Sequence, residues 1–134
     1  REDVQRKDRP ADGGAVLIQR TGCYLAPSDR TVNIENALSR AIRGTVTYPP
    51  EQKLPDAGRG ASATSIEVRN ETTLSAARRL IEKGFDPVAL NFASAESPGG
   101  GFLNGARAQE EYLARSSALW SCLDGNAMYS FHRA

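Results

Sequence analysis

The spacing of apolar residues along the chain predicts two amphipathic helices with recognisable ends. In the first helix, Asn33 is placed to cap the N-terminus and Gly44 to end the last turn. In the second, Thr72 or Thr73 is the cap and Gly84 is the stop. The apolar faces consist of Ile34, Leu38, Ala41 and Ile42 in the first helix and of Leu74, Ala77, Leu80 and Ile81 in the second. Each helix is expected to pack one face on a core.

Two short apolar segments, one on each side of the second helix, predict strands. Residues 66–69 alternate between apolar and polar positions, and residues 88–92 form an apolar run typical of a strand buried on both faces. Helical spacing returns over residues 109–123. The order strand, helix, strand, helix predicts an α/β fold with parallel strands and a right-handed crossover. Residues 21–25 are a further candidate strand, and residues 15–18 fit either a helix end or a strand.

Two segments lack any apolar period. Residues 1–12 are dense in charge, which predicts a disordered segment or an arm. Residues 48–63 contain prolines and glycines among polar residues and predict a long loop. A surface excursion is favoured there over a functional loop. A length of 134 residues leaves room for one domain, which we assign to residues 13–134.

The composition excludes several classes of protein. With 40% hydrophobic and 25% charged residues the chain is typical of a soluble globular protein, and no apolar run is long enough to span a membrane. A net charge of +1 gives no field for nonspecific binding of nucleic acid, so a bound polyanion needs a local site. Cys23, Cys122 and the single His132 fit no metal spacing, and we predict neither a metal nor a cofactor. We favour reduced, buried cysteines over a disulfide or a nucleophile, which predicts an intracellular, cytoplasmic location.

The stretch from Asn91 to Glu111 has the features of a ligand site. It begins at the second predicted strand and continues through a proline and four glycines, which are Pro98, Gly99, Gly100, Gly101 and Gly105. Glycines accept positive φ and let a ligand approach the backbone closely. A loop that enters a helix N-terminus also directs backbone N–H groups and the helix dipole to one point, which suits a phosphate. The glycine offsets match neither a P-loop nor a dinucleotide fingerprint.

These features also have purely structural explanations. A glycine-rich loop can be a flexible turn, although three consecutive glycines cost conformational entropy that ordinary turns avoid. Glu110 and Glu111 can form a solvated first turn of a helix, where the dipole favours carboxylates. Adjacent residues are about 100° apart around a helix, so at most one of the two is expected to aim squarely at a given atom.

The triplet Gly99-Gly100-Gly101, followed after seven residues by Gln109-Glu110-Glu111, resembles the catalytic signature of the poly(ADP-ribose) glycohydrolases. The residues around it, from Asn91 onward, resemble the microbial type of this family. The resemblance is specific because the triplet, its distance to the acidic pair and the preceding asparagine are independent features. A looser resemblance extends from about Thr21 to the end of the chain.

The resemblance implies an activity and a set of site residues. The activity is hydrolysis of the ribose–ribose O-glycosidic bonds of poly(ADP-ribose), with a glutamate that protonates the leaving hydroxyl and then takes a proton from water. The implied roles are Glu111 as the catalytic acid, Glu110 and Asn91 as contacts to the ribose, Gln109 as support for the site, and Gly99, Gly100 and Gly101 as the loop against the diphosphate. The charge of that diphosphate is expected to raise the pKa of the acid.

The resemblance also implies a macrodomain-like fold, a three-layer α/β/α arrangement with a mostly parallel sheet. In that family a second phosphate loop and an aromatic contact to adenine come from later in the chain. We therefore expect residues 13–134 to be the N-terminal portion of such a domain, incomplete by itself. The implied partners are poly(ADP-ribose) or an ADP-ribosylated protein, together with a C-terminal half of the same domain, and no membrane.

Three alternatives stay open. The chain can be a non-catalytic reader that binds ADP-ribose, but a reader needs no acid at Glu110 and Glu111. It can be an inactive fragment that keeps the motif. It can also be a structural domain in which the loop only connects elements, and a thermal-shift assay with ADP-ribose separates this alternative because a ligand at a hundred times its dissociation constant stabilises by about 2.7 kcal/mol.

Overall fold

The structure is a computed structural model that describes residues 13–56, 58, 60 and 63–134. The prediction for residues 1–12 lies outside the described residues. The described helices are α1 (Gly13–Thr21), α2 (Glu35–Gly44), α3 (Thr73–Glu82), α4 (Gln109–Ser116), α5 (Leu119–Leu123) and α6 (Ala127–Arg133). The strands are β1 (Cys23–Leu25) and β2 (Thr31–Asn33), and Phe102–Asn104 forms a 3₁₀ turn. The described residues divide into two compact units, one within Tyr48–Leu90 and the other formed by the rest of them.

Strands β1 and β2 form an antiparallel hairpin in which Tyr24 pairs with Val32. Asp29 turns the chain with a φ of 57°, a conformation that aspartate tolerates better than most residues. Strand β1 confirms a strand within residues 21–25, and α1 shows that residues 15–18 are helical. Strand β2 is too short for a hydrophobic pattern to predict it.

Thr72 is the N-cap of α3 as predicted, whereas the N-cap of α2 is Ile34, one residue after the predicted Asn33. Asn33 Oδ1 accepts a hydrogen bond of 2.9 Å from the N–H of Glu35, and α2 ends at Gly44. Thr72 Oγ1 accepts one of 3.2 Å from the N–H of Ser75 at the start of α3. Both side chains satisfy backbone donors that have no partner inside the helix.

The prediction of two parallel strands is wrong for this structure. Residues 66–69 and 88–92 have no regular secondary structure, and the described sheet is the antiparallel hairpin. Ile66, Val68 and Val88 are 87%, 93% and 99% exposed. An apolar pattern encodes a tendency to be buried, but a strand forms only where a neighbouring strand supplies backbone hydrogen bonds. The three-layer arrangement with a parallel sheet is therefore not confirmed.

The helical pattern over residues 109–123 is divided into α4 and α5 at Ser117. The hydroxyl of Ser117 donates to the carbonyl of Leu113 at 2.8 Å and accepts from the N–H of Leu119 at 3.2 Å. A serine side chain that bonds the nearby backbone competes with the helical hydrogen bonds, and here it ends one helix and begins the next.

The core of the larger unit lies beneath the 3₁₀ turn and α4. Its members are Phe102, Ala114 and Trp120, with Val16 of α1 packed against them. The rings of Phe102 and Trp120 lie with centroids 5.9 Å apart in a tilted arrangement. This packing holds the end of the glycine-rich loop against α4 and α5.

Gln19 ties α1 to the same helices. Its Nε2 donates to the carbonyl of Ala114 at 3.1 Å, and its Oε1 accepts from the N–H and the hydroxyl of Ser121. A buried amide with both ends bonded fixes the position of α1.

Two structural findings concern membrane-spanning helices and metal sites. Within the described ranges, no helix has the length and apolar character needed to cross a membrane. The same ranges hold no group of three or more His, Cys, Asp or Glu side chains suited to a metal ion. Cys23 and Cys122 are half-buried free thiols.

Candidate functional site

The first side chains of α4 hold the segment that precedes the glycine loop. Gln109 Oε1 accepts a hydrogen bond of 2.9 Å from the N–H of Phe92. Glu110 Oε2 accepts one of 2.7 Å from the N–H of Ser94. Side-chain oxygens of α4 therefore satisfy one backbone N–H at the end of the predicted strand 88–92 and a second one just after it.

Glu111 is bonded to the backbone through both carboxylate oxygens. Oε1 accepts from the N–H of Gly101 at 2.9 Å, and Oε2 accepts from the N–H of Ala108 at 3.0 Å. Ala108 is the N-cap of α4 and has no side-chain acceptor, so Glu111 reaches back to cap the helix alone. The anion at this helix N-terminus is thus the side chain of Glu111, in the position where the sequence predicts a phosphate.

These bonds set the protonation of Glu111. The hydrogen bond from Gly101 is the main cause that holds the pKa of Glu111 below its ordinary value, with help from the N–H groups of Glu111 itself and of Ala108 and from the charge of Arg115. Burial acts in the opposite direction and is outweighed. In this structure Glu111 is therefore ionised at neutral pH, whereas the family resemblance predicts a raised pKa beside a diphosphate.

Glu110 has one oxygen without a partner. The residue is 4% exposed, and its Oε1 is buried with no hydrogen-bond partner among the described residues. Asn91 Oδ1 is buried and unpaired in the same sense. Buried acceptors nearly always have a hydrogen-bond donor. We therefore expect a donor from outside the described residues to bind these two oxygens.

Both carboxylates lie against Gly100. A Cβ at this position would overlap Glu111 Oε1 and lie 3.0 Å from Glu110 Oε2, and the residue has a φ of 59°. The two side chains therefore converge on one point, which the 100° spacing around the helix does not predict. Glutamate side chains are long enough to bend toward a shared neighbour.

The loop glycines differ in what they face. Gly99 has a φ of 71° and is turned to the core, where a Cβ would lie 2.9 Å from Phe102 and 3.0 Å from Ala114. The N–H of Gly100 donates to the carbonyl of Ser97 at 3.0 Å, and the N–H of Gly101 is taken by Glu111. The loop thus offers a side-chain-free surface, while these two N–H groups are already bonded within the chain.

Five of the seven predicted site residues line one cavity of about 520 Å³, namely Gly100, Gly101, Gln109, Glu110 and Glu111. Asn91 and Gly99 are not among its lining residues. Ser94, Ser97 and Asn104 also line it, and the sequence interpretation did not single them out. Their polarity within the motif was the signal, since Ser94 Oγ also accepts from the N–H of Ser97 at 3.1 Å and shapes the loop.

Two further features border this site. The guanidinium of Arg115 donates to the carbonyls of Phe102 and Ala106 and so fixes the 3₁₀ turn next to Glu111. A second cavity of about 460 Å³ lies beside Tyr24 and Leu38. Its lining is mainly apolar and includes none of the predicted site residues, so it has no part in the chemistry of the acidic pair.

Residues 14–134 match the family described as microbial-type PARG, catalytic domain. The match extends over most of the chain, and the protein belongs to the microbial-type poly(ADP-ribose) glycohydrolase (PARG) family. A search of curated proteins found no match.

The chain is similar to solved structures of the poly(ADP-ribose) glycohydrolase from Thermomonospora curvata. One structure is 48% identical with a TM-score of 0.80, and the match covers 92% of this chain and 47% of that chain. The structure of that enzyme bound to the inhibitor ADP-HPD is 47% identical with a TM-score of 0.76, over 92% of this chain and 46% of that chain. A mutant of it is 46% identical with a TM-score of 0.77, over the same 92% and 46%. The chain thus has an α/β fold that matches PARG, and it spans a little under half the length of these relatives.

Proposed function

We propose that residues 13–134 are the N-terminal portion of a PARG-type glycosidase that hydrolyses the ribose–ribose O-glycosidic bonds of poly(ADP-ribose) and releases ADP-ribose. Family membership supports the class of reaction. The observation that carries the proposal is that two nearly buried carboxylates, Glu110 and Glu111, meet at Gly100 in one cavity. Glycoside hydrolysis needs carboxyl groups held beside the scissile bond.

In this proposal the unpaired oxygens receive the ribose. A ribose hydroxyl donates to Glu110 Oε1, and Asn91 Oδ1 accepts a second donor, which removes the cost of leaving both atoms buried and unsatisfied. The diphosphate lies over Gly100 and Gly101. At this position the diphosphate approaches a backbone that carries no side chains. The N–H groups of these two residues already have partners, so they do not bond to the diphosphate.

Glu111 acts as the general acid and then as the base. It protonates the oxygen of the leaving ribose as the glycosidic bond breaks, and the resulting carboxylate takes a proton from the water that attacks the oxocarbenium-like sugar. Its lowered pKa makes it a poor acid before substrate binds. The proton is gained on binding, when the negative diphosphate raises the pKa of the neighbouring carboxyl.

A second candidate is a reader that binds ADP-ribose without turnover, and one observation favours it. Both oxygens of Glu111 are bonded to the backbone of the loop and the helix start. These bonds lower the pKa of Glu111, which a general acid does not need, and give the residue a structural role that requires no turnover.

The proposal extends to the rest of the domain. A C-terminal half of the same domain supplies the strands that pair with residues 66–69 and 88–92 and completes a three-layer α/β/α arrangement with a mostly parallel sheet. The exposure of Ile66, Val68 and Val88 supports this, because apolar strand residues gain by burial. Poly(ADP-ribose) or an ADP-ribosylated protein is the substrate, and a cytoplasmic location stays a prediction.

The test measures binding and turnover separately. ADP-ribose is titrated into the 134-residue chain by calorimetry, and release of ADP-ribose from poly(ADP-ribose) is measured with the longest natural form of the protein, because this chain spans under half of its relatives. Turnover that falls by about 10²–10⁴-fold in Glu111→Gln supports the glycosidase. Binding without turnover in that longest form supports the reader, and an absence of both contradicts the proposed function.

A further inference from the structure

Residues 101–106, which include the 3₁₀ turn, form a turn that backbone hydrogen bonds close on itself. The carbonyl of Gly101 accepts from the N–H of Asn104 at 3.0 Å and from the N–H of Ala106 at 3.1 Å. A Cβ at Gly101 would lie only 3.0 Å from the Cβ of Ala106, so the two ends of the turn are in contact. A displacement of Ala106 therefore displaces Gly101 as well.

Arg115 of α4 attaches this turn to the helix. Its Nη2 donates to the carbonyl of Phe102 at 3.1 Å and to the carbonyl of Ala106. The side chain is half-buried, and hydrogen bonds from a charged donor are among the stronger ones in proteins. The guanidinium thus binds the turn near its start and at its end.

Glu111 is attached to the same turn. It binds the N–H group of Gly101 at the start of the turn and that of Ala108 two residues after its end. Glu111 lies four residues before Arg115, which is about one turn of α4. Arg115 bonds Ala106, and Ala106 bonds Gly101. Since Gly101 in turn bonds Glu111, these hydrogen bonds and one turn of the helix form a closed ring.

We propose that Arg115 is a positioning residue for Glu111, because it fixes the turn whose first N–H group holds the carboxylate. The inference rests on the proposed function, in which Glu111 is the general acid. The hydrogen bond from Gly101 is the main cause of the lowered pKa of Glu111, with a smaller contribution from the charge of Arg115. Arg115 therefore acts on the carboxylate both through the turn and through its charge.

Loss of the guanidinium is expected to free the turn from α4. Glu111 would remain on the helix, but the N–H of Gly101 would no longer have a fixed position beside it. The carboxylate would then lack a single orientation in the cavity. A displacement of about 1 Å at a reacting group can lower the rate by about 100-fold.

A simpler role for Arg115 is to stabilise the last turn of α4, where a cation interacts favourably with the helix dipole. A role of this kind affects the whole helix and does not single out the bonds to Glu111. Hydrogen exchange at single amides separates the two roles, because it reports local opening as well as global unfolding.

The first experiment follows amide exchange by NMR in the 134-residue chain. Arg115→Met is expected to accelerate exchange at Gly101 and Ala108 by about tenfold or more, the usual effect of one hydrogen bond, and to accelerate Leu113 within α4 less. The matched control is Arg107→Met, because Arg107 is an exposed arginine next to the same turn. The control is expected to exchange like the parent. Equal acceleration at all three amides, or none at Gly101, overturns the inference.

The second arm asks whether Arg115 acts through Glu111. Glu111→Ala removes both carboxylate oxygens from the N–H groups that they bind. In this background the further acceleration at Gly101 from Arg115→Met is expected to shrink to less than about twofold. The same acceleration in both backgrounds overturns the inference, because Arg115 would then hold the turn without any effect on Glu111.

The third arm measures turnover of poly(ADP-ribose) and affinity for ADP-ribose with the longest natural form of the protein. Arg115→Met is expected to lower kcat by about 100-fold and to lower affinity less, because a displaced acid acts on the transition state. Arg115→Lys is expected to recover part of kcat. A single nitrogen of Arg115 makes both bonds, and the ammonium of lysine also carries its donors on one nitrogen.

The outcomes of this arm distinguish the inference from the proposed function. Parent-like kcat in Arg115→Met, or equal kcat in the methionine and lysine variants, overturns the inference and leaves the glycosidase in place. A parent protein that releases no ADP-ribose contradicts the proposed function. The two exchange experiments then decide alone whether Arg115 positions Glu111, since neither needs a ligand.

Discussion

At the scale of single residues, Glu110 and Glu111 differ in what their oxygens do. Glu111 uses both oxygens to bind backbone N–H groups, whereas Glu110 uses one and leaves the other unpaired. The adjacent glutamates therefore respond differently to the same substitution. An amide has one acceptor and one donor, so it can replace a carboxylate without conflict only where a single oxygen is engaged.

Substitution by glutamine is expected to separate the two residues by stability. In Glu111→Gln the amide NH₂ faces the N–H of Gly101 or of Ala108, and the loss is about 1–3 kcal/mol of unfolding free energy. In Glu110→Gln the amide oxygen keeps the bond from Ser94, and the loss is expected to be smaller. Urea unfolding of both variants measures the difference. Equal losses would contradict the bonding that the structure assigns to Glu111.

This difference limits how turnover of Glu111→Gln is interpreted. Part of any loss comes from a displaced loop rather than from the missing proton. The affinity for ADP-ribose therefore has to be measured on the same variant, because a displaced loop lowers affinity as well, whereas a missing acid lowers turnover with affinity nearly unchanged.

The pH dependence of stability provides an independent test of Glu111. Its pKa is lowered on folding, so its contribution is present above the ordinary pKa of glutamate, about 4.3, and is lost as pH falls through the lowered value. The stability difference between the parent and Glu111→Gln should therefore shrink below about pH 4. Unfolding curves between pH 7 and pH 3 measure it. A difference that stays constant across this range would contradict the lowered pKa.

At the scale of elements, the glycine loop and the start of α4 form one assembly. Gly99 packs on the core and Gly100 on the two carboxylates, so each glycine is required by a neighbour rather than by flexibility. Substitution of Gly100 therefore disturbs Glu110 and Glu111 directly. Any effect on ligand binding includes that disturbance, in addition to a block of the diphosphate.

Gly100→Ala is expected to weaken ADP-ribose binding by displacing Glu111. The matched control is Gly125→Ala, because Gly125 also has a positive φ, of 76°, but a Cβ there would meet nothing within 4 Å. Both variants carry backbone strain of about 1–3 kcal/mol, and only the first adds a steric conflict with the site. Calorimetry compares the affinities. Parent-like binding by Gly100→Ala would mean that the carboxylates do not form the binding site.

At the scale of the whole molecule, the exposed apolar segments of the Tyr48–Leu90 unit are the notable feature. Ile66, Val68 and Val88 lie in segments without regular secondary structure. The protein spans under half the length of relatives whose fold it shares. The described part of the chain therefore contains segments with the apolar pattern of strands, and no described strand pairs with them.

Amide hydrogen exchange is expected to be fast at Ile66, Val68 and Val88 in the 134-residue chain and slow at Leu113 within α4. Exposed backbone without ladder hydrogen bonds exchanges with little protection, whereas packed helices exchange slowly. Exchange followed by NMR measures both in one sample. Strong protection at the first three residues would mean that the strands form in this chain and would contradict the described structure.

Features that depend on residues a few positions apart could be predicted from the sequence. The side chains of Asn33 and Thr72 accept from backbone N–H groups two or three residues later at helix starts, so sequence spacing predicts these bonds. The triplet of glycines and the acidic pair likewise lie within one short stretch, and five of the seven predicted residues line one cavity.

The tertiary structure decided what depends on distant neighbours. Residues 66–69 and 88–92 become strands only where other strands pair with them, and the apolar pattern does not identify those strands. The convergence of Glu110 and Glu111 on Gly100, and the lowered pKa of Glu111, depend on where the loop backbone places its N–H groups.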